Sequence, residues 1–111
     1  STPMGASMAG TVIGEGLSIE GELTGDDEVV VHGTVRGTLA TTDAISVGSG
    51  GVVEADLTAS SVTVAGQVTG NVAARERVDI QAGGRLVGDV KSARFTIADG
   101  ASFKGSVDMD V

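Results

Sequence analysis

The sequence predicts an all-β protein built as a solenoid, with about six short coils stacked into a parallel β-helix of triangular cross-section. Three observations carry that expectation. Apolar and polar residues alternate at period 2 in segment after segment, the mark of a strand with one buried face. The segments recur every 16–17 residues. Small residues, mostly glycine, return at fixed places inside each repeat. Units of this length stack because none of them can bury its own apolar face.

Residues 1–10 have no period and are expected to form a flexible N-terminal tail or an expression remnant. The core is expected over 11–107, followed by a short C-terminal tail at 108–111. Thr11 to Gly16 reads as a first partial strand, with Val12 and Ile13 as its apolar content. The alternation proper starts at Leu17, Ile19, Gly21, Leu23 and Gly25. It continues through Val29, Val31, Gly33, Val35, Gly37 and Leu39, then through Ile45, Val47, Val53 and Leu57. Val62, Val64, Gly66, Val68, Gly70 and Val72 make a middle unit. Val78 to Val90 and Phe95 to Val107 make the last two.

Aligned on Val31, Val47, Val64, Ile80 and Ile97, the units stand 16, 17, 16 and 17 residues apart. Ile19, placed in the same column, precedes Val31 by only 12 residues. The first coil is therefore expected to be abbreviated. The columns give four inward ladders, led by Val29, Val31, Val35 and Leu39. Two small-residue columns flank the third ladder, beginning at Gly33 and Gly37. They suit corners, where close approach or positive φ is needed. A helix is excluded, since glycine at every fourth position would cost about 1 kcal/mol per site. In-register parallel pairing would satisfy the backbone between coils. Arg36 and Glu54 take equivalent outward positions, so an exposed cross-rung pair is expected.

Composition narrows function further. The 111 residues suit one domain, with 41% hydrophobic residues, two Phe, no Tyr or Trp, and 18 Gly without a collagen period. There is no Cys, hence no disulfide framework and no thiolate site. No apolar run is long enough for a membrane-spanning helix, and no signal peptide is visible. The net charge of −8 argues against nucleic acid. It is unevenly placed. Residues 1–56 hold nine acids against Arg36 alone, 1 − 9 = −8, while residues 57–111 hold six of each sign.

The signals of chemistry are weak. His32 is the only histidine, so a multi-histidine zinc site of the kind some β-helix enzymes use fails on count. It reads as a corner surface residue. Asp26-Asp27-Glu28 lacks the arranged oxygen set of a calcium loop. No P-loop or dinucleotide fingerprint occurs, and no nucleophile–base pair can be assembled. No catalytic residue, metal or cofactor is expected.

Function is instead expected at the two ends of the stack. Each end exposes unpaired strand backbone over an apolar cross-section, the kind of edge that proteins normally block. No cap is recognisable at either end. Both Phe residues lie in the last coil. The expected polymerisation interface is Val12, Ile13, Leu17 and Ile19 at one end, and Phe95, Ile97, Phe103 and Val107 at the other. The competing class is a monomeric solenoid that presents a flat face to a cell-wall enzyme.

With this pattern in place, the lines TVIGEGLSIEGEL, VVVHGTVRGTL, VTVAGQVTGNV and FTIADGASFKGSV resemble the bactofilins over about residues 11–107. The resemblance implies a right-handed β-helix that polymerises without nucleotide into bacterial cytoskeletal filaments. Its partners would be other copies of itself, joined head to head and tail to tail, with no nucleic acid or nucleotide. It implies roles in cell shape, cell-wall organisation and protein localisation. It also implies a cytoplasmic location at the inner face of the membrane. Membrane attachment and recruitment of cell-wall enzymes would reside in tails missing here.

Overall fold

Alternating β-branched and small residues leave the backbone one economical arrangement. Each short strand lies on the equivalent strand of the previous coil, one rung of about 4.8 Å away. The computed structural model describes residues 11–109, and the expected tails at 1–10 and past 109 lie outside them. Among the described residues there are eleven strands. They are β1 (Thr11–Ile13), β2 (Ser18–Gly25), β3 (Val29–Val31), β4 (Thr34–Thr41), β5 (Ala44–Val47), β6 (Val52–Val64), β7 (Gln67–Thr69), β8 (Val72–Ile80), β9 (Arg85–Ser92), β10 (Arg94–Ile97) and β11 (Ser102–Met109). Every pairing is parallel. The all-β solenoid of about six coils is as expected. Its last strand runs two residues past the expected core limit, with Asp108 opposite Lys91 and Met109 opposite Ser92.

Each coil has three faces. The first comprises β1, β3, β5, the end of β6, the end of β8, and β10. The second holds the starts of β2, β4, β6, β9 and β11, together with β7. The third holds the remainder of those longer strands and the start of β8. The inward ladders are those the alternation predicts. Val31, Val35, Ile45, Val53, Val62, Val64, Val68, Val78 and Leu86 are all fully sealed.

Two corners set the repeat length. Between the first and second faces the corner has either two residues (32–33, 65–66) or four (14–17, 48–51, 81–84, 98–101). The four-residue form is a closed turn. Gly51 N–H donates to the Gly48 carbonyl at 2.8 Å and Gly84 N–H to Gln81 at 2.8 Å. Between the third and first faces the turn has three residues (26–28, 42–44, 75–77) or two (60–61, 93–94). The bulge between Ala59 and Ser61 marks one such change of length. In the second to fifth coils a short corner goes with a long turn, and the reverse, which yields the 16 and 17 spacings, whereas the first coil combines the long corner with the long turn, so that Ile13 stands 18 residues before Val31.

The first coil corrects the sequence reading, because it is not abbreviated. Ile13 lies opposite Val31, and Ile19 lies opposite Val35 rather than in the Val31 column. Residues 14–17 form a four-residue corner closed by Leu17 N–H to the Gly14 carbonyl at 3.2 Å. Leu17 thus occupies the column that holds Gly33, Gly51, Gly66, Gly84 and Ala101 in later coils. A Cβ on Gly33 would meet the carbonyls of Gly14 and Leu17. The first coil has no such described neighbour before it, so a large residue fits there.

The corner between the second and third faces makes a second demand. Gly21, Gly37, Gly70, Gly88 and Gly105 all have φ between 114° and 138°, a region that L-residues avoid. Ala55 is the one member of that column outside the positive region. Polar groups at the remaining turn are satisfied locally. The Thr41 hydroxyl donates to the Asp27 carbonyl at 2.6 Å, and Ser92 to the Arg94 carbonyl at 2.7 Å. No buried side-chain nitrogen or oxygen among the described residues lacks a partner.

Candidate functional site

A stack of identical layers is saturated everywhere except where it stops. Among the described residues, β1 pairs only with β3 and β2 only with β4, while β10 pairs only with β8 and β11 only with β9. Each end coil therefore offers strand backbone on one side, next to whatever side chains its ladders leave uncovered.

Among the described residues, nothing pairs with the outer side of the C-terminal coil. Ile97 is 45% exposed, although Ile80, one rung inside, is sealed at 1%. Phe95, Phe103 and Val107 pack against the core but stay partly exposed. The two rings meet edge to face, with centroids 5.0 Å apart and planes at 63°. That pairing contributes about 0.5–1.5 kcal/mol beyond its area and stiffens the terminal surface. All four residues expected at this end therefore share one surface.

The N-terminal end differs from expectation. Ile19 is partly exposed and Leu17 is 55% exposed. Ile13 is only 1% exposed, so it is core and offers no accessible surface to a joint. Val12 is 60% exposed, but it alternates with Ile13 and pairs with Val30, so it points out of the first face, sideways to the stack. Strand alternation was enough to separate Val12 from Ile13. Leu23, read in the alternation but not counted among the interface residues, joins Ile19 as a partly buried residue of this coil. The first coil, residues 11–28, carries six acids and no base.

Elsewhere the surface is polar. Arg36 bridges Glu54 at 3.2 Å as expected, and also Glu20 at 3.6 Å on the preceding coil. His32 is exposed at its corner, its ring lying over Gly48 where a Cβ would collide with it. No group of three or more His, Cys, Asp or Glu among the described residues is arranged to hold an ion. A groove of about 570 Å³ runs along the third face, lined by Asp56, Asn71, Ala73, Asp89 and Ser106 among others. No helix among the described residues is long and apolar enough to cross a membrane.

Comparison with known proteins agrees with this geometry. Residues 11–108 match the family described as bactofilin, polymer-forming cytoskeletal. The chain is 49% identical over 104 residues to bactofilin BacO of Myxococcus xanthus (strain DK1622), covering 94% of this chain and 82% of that protein. It is 61% identical over 100 residues to BacN of the same organism, covering 90% and 88%. It is 41% identical over 104 residues to BacP, covering 94% of this chain but 43% of that protein. No solved structure matches the chain.

Proposed function

The chain belongs to the bactofilin family, a polymer-forming cytoskeletal family, and on that premise we propose that it assembles end to end into filaments without nucleotide. The filaments would act in the cytoplasm as a scaffold for cell shape, cell-wall organisation or protein localisation. The observation that carries this reading is the open C-terminal coil. Ladders that are sealed one rung inside become partly exposed at Phe95, Ile97, Phe103 and Val107. A second copy seated there would cover an apolar patch on the order of several hundred Å². It could also pair with the free backbone of β10 and β11.

Head-to-head and tail-to-tail joints follow the family resemblance. The tail-to-tail joint is apolar and aromatic. The head-to-head joint brings together two first coils rich in acid, so it should tighten as salt screens their repulsion.

Phe103→Arg tests the reading directly. A guanidinium at the rim of the open coil can reach water in the monomer, but would be buried without a partner in the joint. The expected result is a folded protein that stays monomeric or forms small oligomers in sedimentation. Wild type should form filaments one molecule wide by negative-stain electron microscopy in buffer lacking nucleotide. Long filaments from the variant would refute the tail-to-tail joint. A wild-type chain that stays monomeric would refute assembly altogether, and would move attention to the groove on the third face as a partner site.

A further inference from the structure

One longitudinal edge of the solenoid, the turn between the third and first faces, is segregated by charge. Register pairing aligns Ala44 with Ser61, Arg77 and Arg94 in successive coils. Glu28 precedes Val29 as Ala44 precedes Ile45, so it heads the same column. From the first coil to the fifth this column reads acid, neutral, neutral, base, base. The flanking positions follow it. Asp26, Asp27 and Asp43 lie at the acidic end, and Arg75 and Lys91 at the basic end, all exposed. Glu76, the Asp79 carboxylate 3.2 Å from Arg77, and the exposed Asp108 opposite Lys91 reduce the basic end without reversing it, four bases standing against three acids. The third coil, midway, carries only Ser60 and Ser61.

We propose that this edge is a self-complementary lateral interface, on which two copies of the chain lie side by side and antiparallel. The argument is one of symmetry. A two-fold axis perpendicular to the stack at Ser60 and Ser61 exchanges the first coil with the fifth and the second with the fourth. Asp26, Asp27 and Glu28 then face Lys91 and Arg94 of the second copy, while Asp43 faces Arg75 and Arg77. The same contacts form twice, as an isologous interface requires. A parallel arrangement would set acid on acid and base on base along the whole edge, so charge also selects the orientation. The opposed charges sit two to four rungs apart, roughly 10–19 Å. They therefore remain distinct poles rather than neutralising each other within one molecule. Side chains between them are small. Ser60 and Ser61 stand there, and beside the basic end a groove of about 290 Å³ is lined by Ala59, Ala73, Ala74 and Ala93 together with Arg75 and Lys91, which lets two edges come close.

The interface is independent of the end-to-end joint, and its salt response has the opposite sign. Raising sodium chloride from about 20 to about 500 mM shortens the screening length from roughly 20 Å to below about 5 Å. That should weaken lateral pairing tenfold or more, while leaving end-to-end filaments intact or strengthened. Filaments should be doubled or bundled at low salt and single at high salt. If the chain does not polymerise, the same contact should appear as a salt-sensitive dimer by sedimentation, so the two readings fail separately.

Two charge-reversed variants complete the test, both altered only at exposed positions: Arg75→Glu with Arg77→Glu and Arg94→Glu, and Asp26→Lys with Asp27→Lys and Asp43→Lys. Circular dichroism should report wild-type fold for both. Each alone should lose lateral pairing at low salt, and an equimolar mixture should regain it. The proposal is overturned if either variant bundles like wild type, or if the mixture stays unpaired. It is also overturned if only the arginine set matters, which would assign the basic end to an anionic partner such as a lipid surface.

Discussion

Gly88→Ala and Gly21→Ala form a matched pair that isolates what holds the coils at their spacing. Both glycines turn the corner between the second and third faces, with φ of 135° and 125°. An alanine at either site meets the same backbone strain, about 1–3 kcal/mol. Only the surroundings differ. A Cβ on Gly88 would fall on the carbonyl of Gly70 in the coil before it, well inside the 3.0 Å that real Cβ atoms respect, whereas a Cβ on Gly21 meets nothing within 4 Å. Relieving the clash takes about 1 Å of separation, roughly a fifth of a rung. The Gly70 N–H to Val87 carbonyl bond spans the same two coils at 2.9 Å. Opened by that amount it no longer counts as a hydrogen bond. Loss of that bond and a neighbouring ladder bond, at about 0.5–1.5 kcal/mol each, places Gly88→Ala about 2 kcal/mol below Gly21→Ala. Urea unfolding followed by circular dichroism measures the difference, read as a shift in midpoint at unchanged slope. Equal destabilisation of the two variants would refute the collision argument and leave backbone strain as the whole role of this glycine column.

Further outcomes follow from the same geometry. Val68→Asp puts a carboxylate where the side chain is fully sealed between Val53 and Leu86. The cost of several kcal/mol for an unpaired buried charge rivals the total stability of a small domain, so loss of strand signal is expected. Phe103, on the same ladder at the end, should accept a charge and keep its fold. Arg36→Ala removes both exposed bridges to Glu20 and Glu54, yet should change stability by less than about 1 kcal/mol in thermal melts. Gly21→Ala also reports filament polarity. In a head-to-tail joint the Gly105 carbonyl of the next molecule would lie against Gly21 as the Gly21 carbonyl lies against Gly37, so alanine would block it. Filament length unchanged by Gly21→Ala, in electron micrographs, would rule out the head-to-tail joint.

The ladders were legible in the sequence because burial and alternation are local. A residue such as Val68 announces its face through Gly66 and Gly70 on either side. The first coil was misaligned for a physical reason. The marker glycine of the first corner exists to avoid the coil before it, and at Leu17 that constraint is absent, so the marker is absent too. Ile19 then fell into the wrong column by elimination. The burial of Ile13 has no signal in the alternation, which reads the same for Ile97 in the opposite end coil, where the side chain is 45% exposed. The charged edge was visible only as an imbalance between two halves of the chain. Asp26-Asp27-Glu28 and Arg75-Glu76-Arg77 occupy the same turn, but they align only once the two-residue and four-residue corners, and the bulge after Ala59, are known.

Because the paired length of each face is constant from coil to coil while the first corner holds either two or four residues, the fold separates positions that keep register from positions that are indifferent to it. Residues 48–51 and 81–84 already lengthen their coils without disturbing the ladder above or below. A peptide epitope or a fluorophore attachment site placed after Ser49 should therefore report on the assembled protein from its outer surface, with the stacking untouched. The same insertion beside Gly37 or Gly88 would part the layers.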